Sequence, residues 1–425
     1  MKWTNWAQTA VAYPSQCFSP STIEEVQQII KEARGKTLRV TGAAHSFSAV
    51  AMPEQWMMTL ANMQGLIAIK GNEATFWGGT HLRDVGPLLK KHGLALSNMG
   101  DIQEQTLAGA ISTGTHGTGI TLTSFSDMVV EWTFVDGLGE VHTHRRGNDA
   151  LSQALHVSLG LLGVLVQVTL TVVPLYYLHY EATREPLADV MACFAQDIRA
   201  YRHVEWFYFP GCELMQVKRS RLTAPQETPR LKRQWEQAKL VGIENIGFKL
   251  LSEVCRVRPA VSQKMAQFSA SHVTKAQKVG LSYEIFPTPR LVKFTETEYA
   301  LPLTQFTACM QEIHTMLQQA PFAVHFPIEC RTAGAEVGYL SPTQNQETVF
   351  LAFHMYKGME DSAYFAWVHE LMARYGARPH WGKLNDLKRD KVQKLYPQVQ
   401  DFLALRQQYD PYNIFLTNSM RKLFY

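Results

Sequence analysis

Two periods of apolar and polar residues run along the chain, and their alternation predicts most of its elements. In SPSTIEEVQQIIKEA (19–33), Ile23, Val26, Ile30 and Ala33 recur at helical spacing. Ser21 and Glu24 stand ahead of them as a capping box, which predicts an amphipathic helix. Short strands are predicted over 37–41, 55–60 and 73–78, and a helix over 81–92 that Gly93 terminates. A hairpin is expected from 127–136 and 140–144 around the turn DGLG, followed by a short helix at 149–156. The Val- and Thr-rich run 164–173 reads as a buried strand closed by Pro174. Beyond 175 the pattern predicts strands at 282–286 and 294–300, a helix at 303–319, strands at 324–331 and 348–354, and a helix at 364–375. The end, 379–425, reads as loop, helix and a final apolar segment. No repeat emerges, and the first third lacks the long strand–helix–strand rhythm of a doubly wound parallel sheet.

Composition narrows the class. With 425 residues, 46% of them hydrophobic and 18% charged, the chain can bury a core without disulfide or metal staples. Lys and Arg total 41 against 37 acidic residues, and a net charge of +4 is too mild to make nucleic acid the main partner. The six cysteines lie far apart with no CxxC, which excludes a zinc ribbon or finger. His142 and His144 share a strand face but lack a third ligand, so no metal site is expected. GxSxG is missing, which leaves a hydrolase elbow unsupported. The N-terminus has no continuous apolar core, and Ser158, Gln167 and Thr169 interrupt the most apolar run, so neither a secretory signal nor a membrane span is read. A cytoplasmic protein with reduced thiols is the expectation. Residues 218–258 hold ten basic and four acidic residues; they read as a solvated surface, with a peripheral membrane contact or an acidic partner as the alternative.

Two glycine-rich stretches carry the candidate chemistry. LRVTGAAHSFSAVA (38–51) is a strand running into a tight turn of small residues with His45 at its apex. GDIQEQTLAGAISTGTHGTG (100–119) holds five Gly and five Ser or Thr. Small residues let successive backbone N–H groups close on a phosphate. Neither stretch fits GxGxxG opening a helix, nor the GK[ST] of a P-loop. By composition alone each reads more readily as a plain turn, but two in one small domain suit a diphosphate held from both sides.

Together with the late RPHWGKLN (378–385), these stretches make the chain resemble the FAD-linked oxidases of the vanillyl-alcohol oxidase superfamily. More narrowly it resembles their sugar-lactone and alditol oxidase branch, over nearly the whole chain and with the motifs in order. The resemblance implies an α+β flavoprotein: an FAD-binding domain at 1–175, a cap domain with an antiparallel sheet at 176–375, and a segment at 376–425 that completes the FAD region. It implies FAD bonded covalently through His45 to the flavin 8α carbon. Thr41, Gly42, Ala43, Ala44 and Ser46 would hold the pyrophosphate. Gly100, Asp101, Thr106, Gly109, Thr113, Gly114, His116, Gly117 and Gly119 would line the pyrophosphate and flavin edge, and His380 and Lys383 would close the site. Ala43 and Ala44 depart from the Gly or Ser common in the family but keep the small size.

On the substrate side, Glu329 and Arg331 lie two apart in a predicted strand and so share a face. Taken alone they read as an ion pair. The resemblance implies that this E-x-R strand contacts substrate hydroxyls and that His354 joins it. It places Lys383 near flavin N1 and C2=O, where a fixed cation stabilises the negative charge that develops with hydride transfer. Gly100 falls at the position that gates oxygen, and Asp101 departs from the small residue usual beside it. The implied activity is oxidation of a sugar-derived alcohol, foremost an aldono-1,4-lactone, with electrons passing to dioxygen to give hydrogen peroxide. The alternatives are a xylitol-type alditol oxidase, a lactone dehydrogenase using another acceptor, or a flavin-binding subunit without turnover. Glu329, Arg331 and Lys383 together speak against the last.

Overall fold

A computed structural model describes residues 2–225, 246–273, 275–287 and 292–425. Half of the basic stretch noted above, residues 226–245, therefore lies outside the described residues.

The first half of the chain builds two sheets. Gln16–Phe18, Trp56–Met58 and Leu38–Val40 form a small parallel sheet, with the helix Ile23–Glu32 crossing over between its edge strands. That helix buries Val26 and Ile30 as its spacing predicts. Its cap is shifted by one residue: the Thr22 hydroxyl accepts from the Glu25 N–H, and the Glu25 carboxylate accepts from the Ser21 N–H at 2.7 Å. Ser21/Glu24 and Thr22/Glu25 both fit the capping pattern, and the structure selects the second. A five-stranded antiparallel sheet follows, ordered Val141–Arg145, Val129–Val135, Val164–Thr171, Glu73–Trp77, Leu66–Lys70. The Asp136 carboxylate shapes the hairpin turn by accepting from the N–H groups of Leu138 and Glu140.

The second half is dominated by an eight-stranded antiparallel sheet. Its order is Ala276–Leu281, Tyr177–Pro186, Leu214–Thr223, His203–Tyr208, Ile328–Ala333, Thr348–Tyr356, Phe294–Pro302 and Arg378–Pro379. The strands at 177–186, 203–208 and 214–223 were not predicted from the pattern. The predicted strand at 282–286 is instead a short helix, Ser282–Ile285, and the strand precedes it. So short an apolar run carries no usable period.

Side chains alternate across this sheet, and the alternation positions the site. Trp206, Val217, Ile328, Cys330, Leu351 and Phe353 point to one face and pack in a core with Phe194, Ile313 and Val368 of the helices Leu187–Ala200, Phe306–Gln318 and Ser362–Arg374. The opposite face carries charge. Lys218 pairs with Glu205 and Glu205 with Arg331 across three adjacent strands, and Glu296 pairs with His354 further along. After Pro379 the chain returns to the first half, where Trp381, Tyr396, Phe402 and Phe424 join the core built around Trp132 and Leu155. Among the described residues no helix is long and apolar enough to cross a membrane.

Candidate active site

The turn after the Leu38–Val40 strand forms one wall of a cleft of about 1030 Å³ including its open mouth. Thr41, Gly42, Ala43, Ala44, His45 and Ser46 line it, facing Thr106, Gly109 and Thr113. The five consecutive N–H groups of residues 42–46 meet no acceptor among the described residues. Such a row of free amides is an anion-binding nest. Gly42 is required by close approach, since a Cβ there would lie 2.4 Å from the Thr106 hydroxyl oxygen. The pyrophosphate of FAD would fit this donor set, with residues 42–46 placed to hold it and the Thr106 hydroxyl beside them.

Ala44 adopts a left-handed backbone, φ 55°, pinned by the Trp6 N–H donating to its carbonyl at 2.8 Å. That conformation costs a residue with a Cβ about 1 kcal/mol that glycine avoids. Ala44→Gly is therefore expected to raise the thermal midpoint by about 1 °C, read by melting at neutral pH. An unchanged midpoint would show that the turn stores no strain.

Only part of the second glycine stretch belongs to a cleft. Gly114, Gly117 and Gly119 line neither of these cavities. Gly114 ends the Leu107–Thr113 helix at φ 72°. A Cβ on Gly117 would strike the Met99 carbonyl at 2.3 Å, and Gly119 (φ 136°) donates its N–H to the Thr332 carbonyl. Gly119 thus serves the seam between the first half of the molecule and the eight-stranded sheet, while Gly117 serves close packing against Asn98 and Met99 within the first half.

A second cavity of about 660 Å³ shares His45, Ser46, Gln105 and Thr113 with the cleft, so the two are continuous around His45. It brings together Gly100, Asp101, His116, Glu329, Arg331, His354, His380 and Lys383 from across the sequence. The His45 turn and the His380–Lys383 loop are tied directly: the Phe47 N–H donates to the Gly382 carbonyl at 2.6 Å and the Ser48 hydroxyl to the Trp381 carbonyl at 2.7 Å. His45 lies against the Trp6 ring, and burial lowers its pKa.

Two charge clusters face each other in this cavity. The Arg331 guanidinium is held by three carboxylates: Glu329 at 2.5 Å, Asp101 at 2.6 Å and Glu205 at 3.0 Å. Burial would lower its pKa, but Asp101, Glu329 and Glu205 hold it well above the usual value. Lys383 lies 2.6 Å from Glu296 and 3.8 Å from Glu298. Burial would raise both acids; Lys383 with His354 holds Glu296 at about 2, and Lys383 with His116 holds Glu298 well below its ordinary value. His354 Nε2 is 3.5 Å from Glu296, and the His116 ring stacks on Phe350 with its Nε2 3.5 Å from Glu298.

The sequence reading thus placed the two cations but missed four charged neighbours: Glu205, Lys218, Glu296 and Glu298. Their signal was present in strands such as FTETEYALP, where acids two apart in an otherwise apolar run must face something other than the core.

Among the described residues two side-chain groups have metal-like spacing, and neither suits a metal. His116, Glu298 and His380 bring ligand atoms within 4.8 Å of one another, as do Asp101, Glu205 and Glu329. His380 Nδ1 accepts from the Gly382 N–H, and burial pushes the ring down to about 4, so Nε2 carries the proton. The other group already encloses the Arg331 guanidinium.

Gly100 lines the cavity, where the chain packs closely against backbone. A Cβ on Gly100 would lie 3.1 Å from the His116 carbonyl oxygen, directed at backbone. Its small size answers that contact first.

Residues 168–423 match the family model described as D-arabinono-1,4-lactone oxidase, and residues 14–145 match a model described as an FAD binding domain. The chain is 32% identical over 427 residues to an L-gulono-1,4-lactone dehydrogenase of Mycobacterium tuberculosis, covering 99% of this chain and 98% of that one. It is 30% identical over 434 residues to an L-gulonolactone oxidase of Scyliorhinus torazame, covering 99% and 98%. Among solved structures a cholesterol oxidase from Brevibacterium sterolicum superposes with a TM-score of 0.82 at 16% identity, covering 100% and 96%, a likeness of fold. The match over most of the chain and the two continuous cavities lead to one assignment: the protein belongs to the D-arabinono-1,4-lactone oxidase family of FAD-dependent oxidoreductases acting on CH–OH groups.

Proposed function

We propose that the protein oxidises a secondary hydroxyl of a neutral aldono-1,4-lactone, such as the C2 hydroxyl, and that dioxygen is the terminal acceptor. FAD, when bound, supplies the hydride acceptor and passes its electrons on. The observation that carries the substrate class is the charge of the second cavity. Asp101, Glu296, Glu298 and Glu329 line it against two cations, Arg331 and Lys383. A cavity with that excess of carboxylates repels an anionic sugar acid and accepts a neutral ligand rich in hydroxyls. The relatives named above act on lactones, as their names state, and the alditol reading draws no support from them. Their names also divide between dehydrogenase and oxidase, so the acceptor is part of the proposal.

The roles follow from placement. Glu329 and Arg331 orient the hydroxyls, His354 and Glu296 border them, and Lys383 supplies positive charge in the second cavity. His45 lines both cavities and is the proposed point of covalent attachment. Six free cysteines, four of them buried, accord with the proposed cytoplasmic, reducing location.

The test uses purified protein. Yellow colour is expected to stay with acid-precipitated wild type and to leave with the supernatant in His45→Ala; complete release from wild type would exclude the covalent bond. Aldonolactones are expected to sustain turnover, while their ring-opened aldonates are inert. Equal turnover of lactone and aldonate would remove the charge argument.

A further inference from the structure

A third cavity, about 730 Å³, adjoins the substrate cavity at Asp101, which lines both. Glu205, Lys218, Tyr180, Lys278 and His203 also line it. The carboxylate oxygens of Asp101, Glu205 and Glu329 lie within 4.8 Å of one another around a single guanidinium. Arg331 and Lys218 pair with these acids and Lys278 lies further along the same cavity, but three carboxylates this close still repel one another. Taking up one proton relieves that repulsion, so the group is built to receive one.

Resting on the alcohol-oxidation reading above, we propose that the Asp101–Glu205 carboxyl pair is the proton acceptor of the reaction, with Asp101 meeting the substrate hydroxyl and Glu205 drawing the proton toward the third cavity. The O–H bond breaks and its proton goes to Asp101. The C–H bond breaks with its electron pair leaving as hydride to the bound FAD, and the carbinol carbon becomes a ketone. Asp101 is the catalytic residue of this pair; Glu205 is a positioning residue acting through it.

The surroundings support this division. Burial first, then the charge of Asp101, raises Glu205 to about 7, so the pair exchanges a proton near neutrality. Facing it are Arg331 and Glu329 on one neighbouring strand, Lys218 on the other, and Tyr180 and Lys278 beyond. His203 stays neutral, since burial pushes it down to about 3. Its Nδ1–H donates to the Thr118 carbonyl, which leaves Nε2 as a buried acceptor without a partner among the described residues. The third cavity is therefore polar and carries an acceptor of its own.

The experiment compares wild type, Asp101→Asn, Asp101→Glu and Glu205→Gln, each loaded with FAD. Anaerobic flavin reduction by the best lactone is followed against pH, and thermal melting is followed without substrate. Asp101→Asn should slow reduction about 10²- to 10⁴-fold and flatten its pH dependence, and Asp101→Glu should recover at least about tenfold of the loss. Glu205→Gln removes a negative neighbour, so its pH–rate midpoint should move lower with less than about a tenfold change in plateau rate. In melting, the raised Glu205 pKa means stabilisation that is full below the ordinary carboxyl range and lost as pH rises through about 7. Glu205→Gln should abolish that loss. Near wild-type reduction in Asp101→Asn with an unmoved midpoint overturns the proposal. If that variant does not retain FAD, an unmoved midpoint and unchanged melting profile in Glu205→Gln overturn it instead. Wild-type protein whose flavin no lactone reduces would sink the functional reading, while the melting profiles would still report on the pair.

Discussion

Arg331→Met should abolish turnover and destabilise the FAD-loaded protein by about 3–5 kcal/mol, the usual cost of removing one partner from a buried ionic group. The effect is expected to be large because three carboxylates depend on this guanidinium, which is 12% exposed. Met fills similar volume, so the loss reports charge rather than a cavity. The pH dependence has a definite sign. Without the cation the pKa values of Asp101, Glu205 and Glu329 rise, the folded variant binds more protons than the unfolded chain, and its deficit against wild type grows from about pH 5 to 8. Denaturant melts across that range check this. A deficit that is constant with pH would mean that Arg331 acts by packing alone.

Lys383→Met should slow anaerobic flavin reduction about 10²- to 10³-fold, the typical loss for one well-placed electrostatic group. Lys383 was expected as a lone cation at the flavin. In the structure it is paired with Glu296 and Glu298, in a loop fixed to the His45 turn. The ammonium keeps two buried carboxylates ionised, and on the proposed function it would also offer positive charge where negative charge arrives with the hydride. Removing it leaves Glu296 and Glu298 opposed only by histidines, and one of them should then take up a proton at neutral pH. Lys383→Arg keeps the charge and should recover part of the rate. Stopped-flow reduction rates beside FAD retention separate the two roles. A variant that reduces its flavin at the wild-type rate would remove Lys383 from the chemistry.

What could be read from sequence was the part written in short motifs. The 38–51 turn, Thr106, Gly109 and Thr113, and the His380–Lys383 loop all line the two continuous cavities, because small residues and a histidine at a strand end constrain the backbone locally. Gly114, Gly117 and Gly119 read the same way yet line neither cavity, and Gly117 meets the Met99 carbonyl; a glycine needed for close approach to backbone looks in sequence like one needed for close approach to phosphate. The strands at 177–186, 203–208 and 214–223 escaped notice because their exposed-face residues include His, Glu, Lys and Arg, which blur a period of two. Glu205 became visible only when pairing placed it opposite both Lys218 and Arg331, 126 residues away from the latter in sequence. Propensity does not encode that register; the burial of the opposite face does.

The most direct test of the whole account is an anaerobic titration of the purified, FAD-loaded protein with aldono-1,4-lactones, followed by its visible spectrum. The flavin absorbance should bleach fully at one equivalent of a good lactone, remain unchanged with the corresponding aldonate, and return when air is admitted. Full bleaching by an alditol with none by any lactone would contradict the account, as would flavin that stays oxidised with both.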